Sequence, residues 1–500
     1  MKISDSRFHI ILLFLVSSIG FYWLTQENNL AINPDSVYYI NAADNLTQGN
    51  GLTDNNGQLE SHWPPFYPMV LSAISTVSGK SITSIGPFLH AILFGITILL
   101  FYLILSELHV TRSTGLLFSF ALMFSKPLIV FGSYMSESIF YPSTFLMILL
   151  ILKWISKKEL KLLLLAGLIG GLMMVTRYAS AGILFAVIAY IFVLNKWNWL
   201  KAIKQSCIFG FPILFIFTIW YAYASICGTS GTNRDFTFHM IAPYKILDFF
   251  TTLLSWFASN PFTYVILTCL LLLYVAQNYQ SKNRFLQNIS NQKQPVLFLS
   301  SIIIIYELFH VFVICFLDAQ SPIDNRMAGP ILPPLLCLIA LVSAGKPLHK
   351  NSRINNVLRF AFIFLMLSSS FSQWVYLYEG GGYSHPKWKT SNTLKYVLQQ
   401  QDKNFISNGV DLIALHAKNY TELLPKKIDP NSTLKNRHIK EDVEKIKAQI
   451  NSGNTELAYF GMINWRWYLY KRKEIYRDFQ EFECIYFNDG FIVLKQDSID

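Results

Sequence analysis

At 500 residues, with 52% hydrophobic and only 14% charged residues, the chain lacks the surface of a soluble protein, in which about a quarter of residues are charged. The formal net charge of +11 invites a nucleic-acid reading, but its distribution excludes one. Residues 379–500 carry 18 basic and 16 acidic side chains, against 23 and 14 in residues 1–378, so the excess lies in the apolar part and not on a DNA-binding face.

A spanning helix needs roughly 20 apolar residues. Runs of that kind predict spans near 8–24, 85–106, 114–131, 138–155, 161–175, 179–195, 202–224, 256–277, 295–317, 329–345 and 357–378. The first follows Lys2 and Arg7 and reads as an uncleaved signal anchor, because Phe21-Tyr22-Trp23-Leu24-Thr25 offers no small-residue cleavage site. The two short spans on either side of Thr176-Arg177-Tyr178 also fit one bent hairpin. With the N-terminus inside, 17 of the 23 basic residues of this part lie on inner segments. The other six, Lys80, Lys126, Arg177, Arg234, Lys245 and Arg326, fall outside or within a span. That asymmetry sets the orientation. It requires the short apolar stretch 64–79 to lie at the outer surface as a helix with proline at its start.

The expected fold is therefore a polytopic α-helical membrane domain of about eleven spans, residues 1–378, followed by a small extracytoplasmic α+β domain, residues 379–500. Outer loops are expected at about 25–84, 225–255 and 318–328. In the last domain, Ser391–Gln401 and Glu441–Asn451 read as helices, and Leu457–Phe460 and Phe491–Lys495 as strands. Trp465–Lys473 interleaves aromatic and basic residues, which suits a sugar or headgroup contact or, more simply, one strand with alternating exposed aromatics. The six cysteines form no close CxxC pair and read as small buried residues.

In the first outer loop, Asp35 stands just beyond the first span, and Tyr39, Ala43 and Leu46 follow at helical spacing on one face. A carboxylate at the membrane surface can act as a general base toward a hydroxyl or amine; it can also simply cap the helix. Further on, His62-Trp63-Pro64-Pro65-Phe66-Tyr67-Pro68 leads into the juxtamembrane stretch. Ser136-Glu137 opens a span from the outer side, where an acid also suits a helix N-terminus. Thr176-Arg177-Tyr178 makes an outer turn, and Asp324-Asn325-Arg326 precedes Pro330, Pro333 and Pro334. The arginines suit a lipid phosphate or mere snorkelling at a helix end. Lys126, beside Pro127, is either a third cation of the site or a residue facing the bundle interior. His62 is either a substrate contact or structural.

These motifs, in this order, resemble the C-type (GT-C) membrane glycosyltransferases, whose members include protein O-mannosyltransferases and the lipid A aminoarabinose transferase. The stretch Ile406-Ser407-Asn408-Gly409-Val410-Asp411 with Leu424-Pro425 resembles the small domain of some members. The resemblance implies a polyprenyl-phosphate sugar donor in the outer leaflet of a bacterial inner membrane and a lipid, glycan or protein acceptor. It implies Asp35 as catalytic base, with Glu137 beside it. Tyr39, His62, Lys126, Arg177 and Arg326 then become candidate substrate contacts, the cations stabilising the phosphate leaving group. Many members carry two adjacent acids in the first loop; here Ser36 takes the second place, which weakens a divalent metal site there. Two rivals remain: a secondary transporter or lipid-saccharide flippase, and a family member without catalysis that serves envelope assembly. Against transport, no internal repeat is visible and the charged candidates gather at the outer surface. No GxxxxGK[ST] loop, GxSxG elbow or HxxxH pair occurs, which argues against ATP-driven transport, serine hydrolysis and a histidine metal site.

Overall fold

The computed structural model of the chain describes residues 3–54, 57–59, 61–196, 198–227, 236, 238, 240–279, 292–319, 321–344, 352–417, 419–429 and 434–496. Arg234 lies outside the described residues. Among the described residues, six helices are long and apolar enough to cross a membrane: α1 (Ile3–Thr25), α4 (Ile82–Glu107), α6 (Glu137–Lys157), α9 (Trp199–Ile226), α12 (Lys293–Phe316) and α14 (Ser352–Tyr378). The expected span at 114–131 is not one straight helix. It is α5 (Arg112–Met123) followed by a 3₁₀ turn, Lys126–Gly132, bent by 58°. Pro127 has no N–H to continue the α-helical ladder and its ring opposes the preceding turn.

Length therefore supports six spans, or seven with this bent pair, and does not by itself establish the expected eleven. The other four expected spans appear as α11 (Pro261–Tyr279), of 19 residues, and three shorter apolar helices. These are α7 (Leu160–Met174), α8 (Ser180–Leu194) and α13 (Leu332–Ala344), the last behind a 3₁₀ turn at Gly329–Ile331. A helix of 15 residues covers only about 22 Å at 1.5 Å per residue, short of a hydrocarbon core of about 30 Å. The chain is nonetheless a multi-pass membrane protein, and large apolar residues such as Ile11, Ile19, Phe211, Phe215, Ile304 and Phe364 stay exposed on its long helices.

Three short helices lie outside the spans. α2 (Pro34–Thr47) and α3 (Phe66–Ser78) occupy the connection between α1 and α4 and pack together against α4. The sequence places the third, α10 (Pro243–Ser255), in a loop, and α11 starts at Pro261 instead of 256. The chain restarts there because the Asn260 side chain accepts from the Thr263 N–H at 2.9 Å, an N-cap bond.

The segment between α1 and α2 ties the Gly132 turn to the exit of α14. The Ala31 N–H donates to the Gly132 carbonyl at 2.7 Å, and the Tyr134 N–H to the Ala31 carbonyl at 3.1 Å. The Tyr383 N–H, just after α14, donates to the Ile32 carbonyl at 2.7 Å.

Residues beyond α14 form a five-stranded sheet in the order β2-β1-β3-β5-β4, with β1 (Asn404–Ser407), β2 (Thr421–Leu423), β3 (Thr455–Phe460), β4 (Glu483–Tyr486) and β5 (Gly490–Leu494). The β2-β1-β3 pairs are parallel and the β3-β5-β4 pairs antiparallel. Helices α15 (Asn392–Gln399), α16 (Val410–His416), α17 (Ile439–Asn451) and α18 (Arg472–Asp478) flank it. Alternation along β3 sends Leu457 to one face, with Val443, Ile446 and Ile450 of α17, and Ala458 and Phe460 to the other. That second face is continuous with the core of the spans, and α16 packs on α2. Trp465–Lys473 is not a strand: residues 465–471 run irregularly, with a single bridge from Leu469 to Lys426, and Arg472 and Lys473 already belong to α18. The reason is Arg466, whose guanidinium turns inward to the Asp411 carboxylate and donates to the Asn408 carbonyl at 2.6 Å.

Candidate active site

Four charged side chains from four separate segments meet at one end of the helix bundle. Asp35 sits in the first turn of α2, where Pro34 pre-sets the helical backbone. Glu137 opens α6, so its carboxylate faces the positive end of that helix. Arg177 lies in the turn between α7 and α8. Arg326 lies in the loop between α12 and the Gly329 turn, where Asp324 Oδ1 accepts from the N–H groups of both Arg326 and Met327 at 2.9 Å. Asp324 thus shapes this loop and aims Arg326 inward.

The Arg326 Nη1 donates to Asp35 Oδ2 at 2.7 Å, and its Nε lies 3.6 Å from Glu137 Oε1. Arg177 donates to the same Glu137 oxygen, stands with its guanidinium over the Phe140 ring, and places Nη2 3.1 Å from the Met327 sulfur. Glu137 is 1% exposed and Arg177 11%, against 25% for Asp35 and 28% for Arg326. The inner pair is therefore nearly sealed, and the outer pair still meets solvent. Glu137 Oε2 is buried without a hydrogen-bond partner among the described residues.

All four line one cavity of about 170 Å³, more than ten times the roughly 10–15 Å³ a single water requires. Tyr39 and His62 line it too. The Tyr39 hydroxyl donates to Ser136 Oγ at 3.2 Å, beside Glu137. Burial pushes the Tyr39 phenol up to about 12, so it stays a protonated donor at neutral pH. The His62 ring meets Trp63 edge-on.

Lys126 is not among the cavity residues; it sits half-buried at the bend after α5. Among the described residues none beyond α14 lines the cavity, although α16 of the C-terminal domain packs on α2, the helix that carries Asp35. The sequence reading passed over Tyr306, Phe309 and His310, which α12 adds to the cavity wall. Its available signal was a histidine and Glu307 together inside an otherwise apolar span.

The site suits a metal ion poorly. Its two acids already face arginines, and the Ser36 hydroxyl points to the Met135 sulfur at 3.7 Å. Among the described residues no group of three His, Cys, Asp or Glu side chains converges to hold an ion. The arrangement instead offers anchored guanidinium groups with spare N–H donors, which match the oxygens of a phosphate.

Residues 62–223 match the family model described as dolichyl-phosphate-mannose-protein mannosyltransferase. No curated protein matches the sequence. Among solved structures, ArnT from Cupriavidus metallidurans in the apo state is similar with a TM-score of 0.64 and 9% identity, over 98% of each chain. The same protein bound to undecaprenyl phosphate gives a TM-score of 0.61 at 9% identity, again over 98% of each chain. The Archaeoglobus fulgidus oligosaccharyltransferase, in complex with Zn and sulfate, gives a TM-score of 0.58 at 12% identity, over 97% of this chain and 73% of that one. The GT-C resemblance read from the loop motifs thus holds in the fold, over nearly the whole chain, and in the family model over residues 62–223.

Proposed function

We propose that this chain is an inverting glycosyltransferase that moves a sugar from a polyprenyl-phosphate donor to an envelope acceptor at the outer face of a bacterial inner membrane. The observation that carries this reading is the meeting of Asp35, Glu137, Arg177 and Arg326 in one cavity. Undecaprenyl phosphate, the lipid bound by one of the similar structures, has the chemistry that a pair of arginines would hold.

In this reading Arg326 and Arg177 bind the donor phosphate. Arg326 presents five N–H donors in a planar fork, and only its Nη1 is committed to Asp35. As the phosphate takes up Arg326, the Asp35 carboxylate is uncovered toward the acceptor. Asp35 then removes the acceptor proton. The acceptor oxygen or nitrogen attacks the anomeric carbon, the bond from that carbon to the phosphate oxygen breaks, and the phosphate leaves with the electron pair. One such displacement inverts the anomeric centre. The arginines stabilise the charge that grows on the leaving phosphate, and Glu137 fixes both guanidinium groups. Their charge supplies the stabilisation of the leaving phosphate that a divalent cation would otherwise give.

The test is transfer of labelled sugar from polyprenyl phosphate in membranes carrying wild-type or Asp35→Asn protein. Loss of transfer in the variant is expected; equal transfer by both removes Asp35 as the base. Transport or flipping without transfer by the wild type would favour the transporter reading.

A further inference from the structure

Inside α12, Glu307 and His310 stand one helical turn apart, with His310 Nδ1 3.7 Å from Glu307 Oε2. That is an electrostatic contact, longer than a hydrogen bond. His310 is 4% exposed and lines the cavity. Its Nε2 has no hydrogen-bond partner among the described residues, and neither has Glu307 Oε1. A buried polar atom destabilises the fold if nothing completes it. Ionisable residues are rare within spans and mark substrate paths when they occur.

The surroundings say which part of a substrate would complete it. The arginines of the cavity, Arg177 and Arg326, already face Glu137 and Asp35, and offer the place for a phosphate. A phosphate beside His310 would meet the repulsion of the Glu307 carboxylate. A neutral hydroxyl would not, since it both donates and accepts. Next to His310, Phe309 and Tyr306 supply aromatic surface on the same wall. Apolar rings with one or two placed polar groups are the usual make-up of a small-molecule subsite.

We propose that His310 is the sugar-reading contact of the cavity: its Nε2 hydrogen-bonds a hydroxyl of the donor's glycosyl group, and Glu307 is a positioning residue that orients the ring. The assignment rests on the glycosyltransferase reading and adds to it where the sugar lies, on the α12 wall and not among the arginines. It also explains why an apolar span keeps a histidine and a glutamate that make no full hydrogen bond to each other.

The test compares affinities of purified full-length protein for undecaprenyl phosphate and for the same lipid carrying glucose, mannose, galactose or arabinose. Wild type is expected to prefer one sugar-bearing lipid over the bare one. His310→Ala is expected to lose that preference by roughly 10–100-fold, the worth of one hydrogen bond to a charged or polarised group, while binding bare undecaprenyl phosphate like wild type. The retained lipid binding shows that the variant is folded. Glu307→Gln, which keeps an acceptor for Nδ1, is expected to retain most of the preference, and Glu307→Leu to lose it. A preference unchanged in His310→Ala, or absent in wild type, overturns the subsite alone. Failure of wild type to bind undecaprenyl phosphate overturns the glycosyltransferase reading and the subsite with it.

Discussion

Replacing Glu137 by leucine perturbs the cavity at its centre. The carboxylate is buried and one of its oxygens faces both Arg177 and Arg326. At an effective dielectric of about 20, opposite charges 3.6 Å apart attract by roughly 4–5 kcal/mol. Arg326 keeps Asp35 at 2.7 Å and some solvent, so it tolerates the loss. Arg177 is nearly sealed and, among the described residues, keeps the Met327 sulfur and the Phe140 ring. Stranding one buried cation costs about 3–5 kcal/mol, and that is the destabilisation expected for Glu137→Leu. It is read as earlier thermal unfolding of the purified protein in detergent, together with loss of sugar transfer. Glu137→Gln keeps an acceptor but no charge and is expected to fall between. Adding Arg177→Met to Glu137→Leu removes the stranded charge, so stability should largely return while transfer does not. A Glu137→Leu protein that unfolds like wild type and transfers sugar would refute the pairing and the role built on it.

Three further outcomes concern the first loop, the α14 exit and the C-terminal domain. The Tyr39 phenol has a folded pKa of about 12 against an ordinary value of 10.0, so its stabilising effect is complete below pH 10 and fades as pH rises toward 12. Roughly 3 kcal/mol is lost over that window, and Tyr39→Phe should flatten this part of an alkaline unfolding profile; an identical profile would contradict the burial. Gly382 has φ +60°, and an added Cβ would lie 2.1 Å from the Ile32 carbonyl oxygen. Gly382→Ala should therefore pull the α14 exit away from the first loop, with proteolysis near 378–384 as readout and wild-type resistance as the contrary result. Arg466→Ala leaves the Asp411 carboxylate, 2% exposed, without its cation, at a cost of about 3–5 kcal/mol. The C-terminal domain should become protease-sensitive and transfer should drop through the α16–α2 contact; unchanged resistance would show that the pair does not hold the domain.

The spans were legible because a bilayer imposes its requirement locally: each crossing segment must be apolar along its own length and satisfy its own backbone. The helix ends at Glu107, Lys157 and Tyr378 fall within two residues of the boundaries read from hydropathy. Asp35 and Glu137 were legible as acids at helix starts, a local property of Pro34-Asp35 and Ser136-Glu137. The helix at 243–255 was missed because an amphipathic segment has too low a mean hydropathy to stand out. Trp465–Lys473 was misread because alternation suggests a strand unless a buried partner captures one of its residues, as Asp411 captures Arg466.

The sequence by itself determined where the chain is apolar, and with that the long spanning helices, the soluble tail and the set of charged residues available at the loop ends. Only the tertiary structure decided which of those residues meet. Asp35 and Arg326 are 291 positions apart, and no local pattern pairs them; the packing of the helices that carry their loops does. The same packing leaves Lys126 out at a bend, and brings His310 in from a span whose composition alone gives no direction to its faces. A helix can be read from its own residues, but a cavity belongs to the space between helices.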